Sequence, residues 1–593
     1  MRIMSEAAIL KDVSTPFMLG VSGHRDLTAG GIADLRDAVA RFVDELHQLL
    51  PDTPLRILVG MADGADLVVA QTAVDLGVLV EALLPMPLKE YAADFDAPTF
   101  QRLQTLLQHP QVRCVELTHP SSNALAGNSM PLRDQLYANL TATLVRRSSL
   151  MLAVWDGQGS TLPGGTADTV LRYLGARTDS NAQEREIQFV AASQEFETAE
   201  RLVYWIPAAR RSEGAAESEP LGEPCFLMGA GDNLVLQWPS MPAQLRQQLI
   251  DLNHYNDDAR TLGSEGKLPQ LDSLVRELPA ELPRTAQPML EAIDQEYGKA
   301  DALARHFQRY SDRLFRVFGF MTFTMGLAYL IYEKITESPV LLAIYMIVLL
   351  SSTGIYYAYQ GRHWFAKHLS YRALAETMRA KYYLHLAGAD ERVDATEILT
   401  LSGIDRFKGF GWVGYVLKSV EPPDLGATNG LATPLEHSLH VEQVWIDNQH
   451  RYFTARVARL ERSSRRTTRF KRIVFISILL VIVSLFLLDR FVRQLDVGLG
   501  IPLHDVLTFF MGFFAVMLGA WELHQDKMAT RELLWQYRNQ LGHFTQARLE
   551  LAHIRSASRR AEVLAALGKD SLMECYLWTI HRYHREHEPP AAS

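Results

Sequence analysis

Residues 55–74 read LRILVGMADGADLVVAQTAV. A five-residue, mostly apolar run meets a turn of small and acidic residues, Gly60 to Gly64. A stretch from 65 to 76 follows, with Ala, Leu and Val at helical spacing. The run is too short for a helix but suits a strand buried on both faces, and the glycines permit an abrupt change of direction. The unit is therefore strand, turn, helix. Similar units lie on either side. Apolar runs at 17–21, 78–84, 112–117, 150–155 and 202–206 alternate with helix-like stretches, among them 31–50 and 133–147. Alternation at this spacing predicts an α/β domain with a mostly parallel, doubly wound sheet over residues 1–210.

Beyond that domain the composition changes. The chain has 593 residues, a net charge of −9 and three cysteines. Its mean hydropathy of −0.04 is that of an ordinary soluble protein, yet four windows contain no charged residue and no histidine: 317–332, 340–359, 473–488 and 506–521. The acidic balance argues against a general nucleic-acid binder. Cys114, Cys225 and Cys575 are far apart and form no CxxC, which excludes a disulfide framework or a cysteine zinc site and suits a reducing compartment. The opening MRIMSEAAILKD has no continuous apolar core, so no secretory signal is expected in it. A polar, acidic loop is expected at 212–224, within a linker or variable region at 211–285.

As a helix, each shorter window rises only about 24 Å, against a hydrocarbon core of about 30 Å, so apolar flanking residues must complete the spans. Basic residues gather on one side of them. Arg305, Arg309, Arg313 and Arg316 precede the first window, and Arg362, Lys367 and Arg372 follow the second. Arg462, Arg465, Arg466, Arg469, Lys471 and Arg472 precede the third, and Lys527 and Arg531 follow the fourth. The connecting loops hold Lys334, Arg490 and Arg493. This asymmetry predicts four spans in the inner (cytoplasmic) membrane, with both termini cytoplasmic. Tyr356, Tyr357, Tyr359 and Trp521 suit interfacial positions. The order of lead-in helix, apolar hairpin and exit helix occurs twice, so an all-α region is expected to hold two such units, 286–400 and 446–593, joined by a connecting segment at 401–445. Two buried hairpins of a soluble bundle are the competing reading, but four adjacent all-round apolar helices rarely find burial on every face.

Three loops sit where an open α/β sheet binds ligands, beyond the carboxyl ends of its strands. The first offers Gly20, Ser22, Gly23, His24, Arg25 and Asp26; the small residues allow close approach, and His24 and Arg25 can meet phosphate. The second offers Gly60, Ala62, Asp63, Gly64 and Asp66, where backbone N–H groups opening a helix can hold an anion and an aspartate can cap the helix or accept from a ribose hydroxyl. The third, 155–166, offers Asp156, Gly157, Gly164, Gly165 and Thr166, with Pro-Gly-Gly-Thr ahead of another helix. None is a Walker P-loop or a GxGxxG turn, and no HExxH or Cys/His cluster points to a metal. His581, His584 and His587 fall in a charged tail and read as solvated. The three loops together point to a nucleotide-type ligand.

The GVSGHRD turn, the VGMADGADLVVAQTA unit and the WDG…PGGT segment resemble the SLOG superfamily, Rossmann-like domains related to lysine-decarboxylase-like (LOG) nucleotide hydrolases and to DNA-processing proteins of the DprA type. The paired-span units resemble, in architecture, SLATT two-transmembrane effector domains of bacterial conflict systems. The resemblance implies a cytosolic sensor of a nucleotide-derived signal joined to a membrane part that forms a pore or perturbs the bilayer, in anti-phage defence. LOG-type hydrolases carry PGGxGTxxE, whose glutamate serves the chemistry; here residues 163–170 read PGGTADTV, without that glutamate. This departure lowers hydrolysis and leaves binding intact. The expected protein is thus a homo-oligomeric, ligand-gated membrane effector with no catalytic residue assigned. The alternative is a membrane-tethered nucleotide or NAD N-glycosidase using Asp63, Asp66 or Asp168. A transporter or structural membrane protein finds little support, since the spans hold no ionisable residue.

Overall fold

The computed structural model describes residues 14–117, 131–159, 162–175, 187–192, 201–213, 221–231, 234–269, 271–275, 287–422, 435–492, 502–527 and 530–584. The chain forms two compact units, residues 1–299 with 374–437, and residues 300–373 with 438–593.

The first unit is built on strand–helix alternation. β1 (Phe17–Gly23), α1 (Ala29–Leu49), β2 (Leu55–Val59), α2 (Ala65–Asp75) and β3 (Leu79–Leu84) come first. α3 (Ala97–Leu107), β4 (Val112–Glu116), α4 (Leu132–Arg147), β5 (Leu150–Trp155) and α5 (Thr166–Leu174) follow. Next are β6 (Gln188–Ala191), β7 (Leu202–Pro207), β8 (Cys225–Gly231), β9 (Leu234–Trp238) and α6 (Ala243–Ser264). The sheet order is β4-β3-β2-β1-β5-β7-β8-β9-β6. All pairs from β4 to β7 are parallel. β8 runs antiparallel to β7 and β9, and β6 parallel to β9.

Every residue of β1 and β5 is buried, as central parallel strands covered on both faces must be. The chain steps from β1 outward to β4, then returns to lay β5 on the other side of β1. The loops leaving β1 and β5 therefore diverge over one crevice. Local signals agree with this layout. Thr28 caps α1 by accepting from the Gly31 N–H at 3.1 Å, and Asp96 caps α3 by accepting from the Thr99 N–H at 2.8 Å. Glu81 of β3 is buried against Arg147 of α4, at 2.5 and 3.2 Å. Burial pushes the Glu81 carboxyl up, but the Arg147 hydrogen bonds and charge outweigh this and hold it below the usual range.

The sheet does not stop at residue 210. The 211–285 segment, expected as a linker, contributes β8, β9 and α6. Gly229 and Gly231 interrupt β8 and mark a register shift against β9, so no continuous apolar run announces the strand. Of the acidic stretch 212–224, residues 214–220 lie outside the described residues. The sheet unit also recruits the chain after α9 (Trp364–Leu386): α10 (Ala395–Ser402) and α11 (Val413–Ser419). Tyr415 meets Phe17 edge-on at 5.3 Å and Lys418 donates to the Ser148 carbonyl at 2.7 Å. Much of the expected 401–445 connector thus covers the sheet at the amino ends of β1 and β5.

The helical region repeats one order of elements. α7 (Gln287–Lys334), α8 (Pro339–Gln360) and α9 have 48, 22 and 23 residues. After α12 (Leu435–Val441), α13 (Asp447–Val492), α14 (Leu503–Lys527) and α15 (Thr530–Leu551) have 46, 25 and 22; α16 (Ala557–Tyr583) ends the described chain. In the second unit the two hairpins meet at glycines. A Cβ on Gly326 would lie 2.5 Å from Val516, and one on Gly512 would lie 2.5 Å from Leu330. Small residues let apolar helices approach closely.

Four helices are long and apolar enough to cross a membrane, and they contain the four charge-free windows. Only 6% of the apolar stretches of α8 and of the helix through α13 is buried within the chain, and none of that of α14. Phe320, Leu350 and Phe486 are 70%, 65% and 84% exposed. A soluble bundle would bury these side chains, whereas lipid accepts them without cost. These are the features of a membrane protein.

Candidate functional site

The three loops converge at the carboxyl ends of β1, β2 and β5, but their residues divide into packing and site-facing groups. Gly20 lies inside β1, where a Cβ would stand 1.9 Å from Ser148 Oγ; a Cβ on Gly23 would stand 2.4 Å from that of Ala65. Ser22 is buried beside them, opposite Ala153 of β5. These three bring strands and helix together. Gly60 likewise packs on Leu140, and its carbonyl accepts from the Tyr91 hydroxyl at 3.1 Å. Gly157 turns the chain beside Trp205 at a φ of +82°.

His24, Arg25 and Asp26 reach outward from β1. His24 Nε2 lies 3.1 Å from the Asp156 N–H and 3.2 Å from Asp156 Oδ2. With its proton on Nδ1 the ring accepts from the first through Nε2; with a proton on Nε2 it donates to the second. Burial pushes the Asp156 carboxyl up, but hydrogen bonds from His24 and the Gln158 N–H, with the charges of His24 and Arg210, hold it below the usual range. Asp26 takes Arg210 Nε at 3.2 Å and the Ser212 hydroxyl. Arg210, just past β7, also stands 3.9 Å from Asp156 and so links two loops. The Arg25 guanidinium sits over the Tyr137 ring, 5.5 Å from its centroid, and donates to its hydroxyl at 3.1 Å. Tyr137 in turn donates to Asp94, which also holds Arg133.

The two helix-opening loops share one device. The Ala62 N–H donates to Asp66 Oδ2 at 3.2 Å, and the Gly164 N–H to Asp168 Oδ2 at 2.9 Å. In each case an aspartate four residues ahead turns back on the loop. Gly64 and Gly164 make these turns at φ of +81° and +76°, with Cβ positions 2.3 Å from the Arg25 carbonyl and 2.5 Å from Tyr137 Cβ. No other residue type fits there. Gly165 and Thr166 open α5, which, like α2, has no side-chain N-cap. An anion approaching either helix end thus finds several donors already taken: at α2 the Ala62, Gly64 and Ala65 N–H groups, the last by the His24 carbonyl at 3.0 Å, and at α5 the Gly164 and Gly165 N–H groups.

The two carboxylates then differ. Asp168 is paired with Arg172 Nε at 2.7 Å. Asp66 is 6% exposed, and its Oδ1 is buried with no hydrogen-bond partner. Burial raises its pKa to about 7, against the opposing Ala62 hydrogen bond, the Arg25 charge and a weaker pull from the Gly23 N–H, which is not within full hydrogen-bond geometry of Oδ1. Asp63 accepts from the adjacent Gly64 N–H at 2.8 Å. Of the three aspartates weighed for acid–base work, Asp66 alone is buried with an unsatisfied oxygen.

Tyr137, Asp94, Tyr91 and Arg210 join the site without having been singled out in the sequence. Arg210 was within reach, because it follows an apolar strand as the other loops do. Tyr137 and Asp94 carry no local signal. Together the groups offer carboxylates for hydroxyl or amide donors, one guanidinium held by a neutral phenol, and two helix ends without a side-chain cap. No family model and no curated protein matches the chain.

Proposed function

We propose that the sheet unit is a doubly wound, Rossmann-like domain of the SLOG kind that senses a nucleotide-derived ligand, and that the paired-span units are a SLATT-like membrane effector gated by it. Asp66 carries this reading. A buried carboxyl with an unsatisfied oxygen, beside Arg25 at the start of α2, is costly unless a ligand completes it. A sugar hydroxyl or a base amide would donate to Asp66 Oδ1 while Arg25 pairs with phosphate. Asp26, Asp156 and Arg210 would position the loop from β5. Both termini would lie in the cytoplasm, and several chains would assemble to enclose a pore or disturb the bilayer. Ligand binding would act only through a difference in affinity between resting and active states. Nucleic acid is not the expected partner.

The test is dye leakage from vesicles holding the inserted full chain, with and without a panel of nucleotides. Leakage with one nucleotide class, lost in Arg25→Ala, supports the reading. No nucleotide-dependent leakage and no saturable binding overturns it. A second reading keeps Asp66 as the general acid or base of an N-glycosidase, because a carboxyl that titrates near neutral pH suits proton transfer. Release of free base from a nucleotide or NAD, abolished in Asp66→Asn, would favour it.

A further inference from the structure

The basic residues ahead of the third span have a geometry that topology alone does not require. At about 100° per residue, Arg462, Arg465, Arg466, Arg469 and Arg472 fall within roughly 120° of arc on α13, and all five are exposed. They occupy about 15 Å of helix and end directly against the apolar stretch that begins at Ile473. Lys471 lies on the opposite side and pairs with Glu522 of α14. Arg465 stands 3.7 Å from Glu461, a carboxylate it shares with Arg538. Arg462, Arg466, Arg469 and Arg472 have no carboxylate partner among the described residues.

Two features select the occupant. First, every member of the face is arginine, whereas within residues 462–472 the one off-face basic residue is lysine; Arg456 and Arg459, also off the face, lie farther from the apolar stretch. Membrane orientation reads both alike, but only a guanidinium matches phosphate with two parallel hydrogen bonds. Second, the face begins where the hydrocarbon ends. The headgroup layer extends about 5–8 Å beyond it; Arg472 and Arg469 fall within that depth, and Arg466 and Arg465 reach it with their long side chains. The first repeat carries the same i, i+4, i+7 triplet, Arg309, Arg313 and Arg316, ahead of its own window, although there Arg313 stacks on Tyr310 at 5.7 Å. The second repeat is the denser site.

We propose that this arginine face binds the phosphates of anionic phospholipid headgroups, so that the second hairpin selects its lipid neighbours. The inference rests on the membrane-spanning part of the proposed function and is independent of nucleotide sensing.

The experiment places the full chain in phosphatidylcholine vesicles and compares the motionally restricted fractions of spin-labelled phosphatidylglycerol and spin-labelled phosphatidylcholine. Resistance to carbonate extraction verifies insertion and separates failure of this proposal from failure of the membrane reading. At about fivefold per arginine near a charged surface, the wild-type protein should enrich phosphatidylglycerol several-fold, less so at high salt. Arg466→Gln with Arg469→Gln, which leaves Arg472 in the headgroup layer, should lower the ratio by more than half without bringing it to one, and the same two positions as lysine should recover part of the loss. A third variant adds Ser464→Arg and Thr467→Arg to the glutamine pair, which moves the two charges to the far side without changing their number. It should stay at the level of the glutamine pair while inserting normally. Equal enrichment in this relocated variant would mean that charge density alone suffices and would overturn the proposal. So would an inserted wild-type protein with no headgroup preference, whose arginine face would then belong to a second copy or an acidic partner.

Discussion

Replacing Asp66 with asparagine should flatten the pH dependence of stability between about 4 and 7. In the folded chain the carboxyl is lifted from 3.8 to about 7, whereas unfolding returns it to the ordinary carboxylate range. Between those values the folded state holds a proton that the unfolded state has lost, so this group's contribution to stability falls as pH rises. The span is worth about 4 kcal/mol at most. Asparagine keeps an oxygen for the Ala62 N–H and places a neutral amide where the protonated carboxyl had its second oxygen, so Asp66→Asn mimics the protonated form at every pH. The variant should match the wild type only below about pH 4, exceed it slightly at pH 5, and gain a further advantage on the order of 5–10 °C in melting temperature by pH 8. Other carboxyls also titrate in this range, so the informative quantity is the difference between the two proteins. Thermal melts of the full chain in detergent, followed by tryptophan fluorescence at pH 5 and pH 8, measure it. A difference that does not change with pH would refute a buried, raised Asp66 and remove the observation on which the proposed site rests.

Other outcomes follow from the same structure. Arg25→Ala should weaken binding of a responsive nucleotide by roughly 10–100-fold in titration calorimetry, and Tyr137→Phe, which only loosens Arg25, should weaken it less. Glu81→Gln leaves Arg147 buried without a carboxylate and should cost about 3–5 kcal/mol in chemical denaturation, much of it recovered when Arg147→Met is added. Lys418 is buried and its ammonium is lowered to about 7; the unfolded state therefore binds more protons between about 7 and 10.5, wild-type stability should rise with pH there, and Lys418→Met should abolish that slope in melts. Gly326→Val drives a side chain into Val516 and should lower the detergent melting temperature by the equivalent of about 1–3 kcal/mol with nucleotide affinity unchanged.

The central strands and the four apolar helices were legible because each signal is local. A short apolar run, or a charge-free stretch, must be buried or placed in lipid whatever surrounds it. β8 was not legible, since a glycine-interrupted strand gains its place by pairing with β7 rather than by its own pattern, and β9 gains its place only by pairing with β8. Within the site, Asp66 and Asp168 occupy equivalent places after their loops, and one hint of their difference was present. Four residues beyond Asp168 stands Arg172, a helical partner, while four beyond Asp66 stands Ala70. The roles of Tyr137 and Asp94 depend on contacts across long stretches of chain, which no spacing rule carries.

The amino-acid sequence by itself determined the alternation that builds a parallel sheet, the loops at its strand ends, the repeated order of hairpin and exit helix, and the number of apolar helices. These follow from hydrophobic periodicity and turn chemistry, which act within one or two turns of chain. The tertiary structure decided which loop residues pack and which face the crevice, which aspartate remains unpaired, and how far the sheet extends. It also decided that segments 211–285 and 374–437 belong to the sheet unit. Those outcomes rest on burial and on pairing between distant residues, because the cost of an unsatisfied carboxyl or an uncovered strand is set only once the whole surface has closed around it.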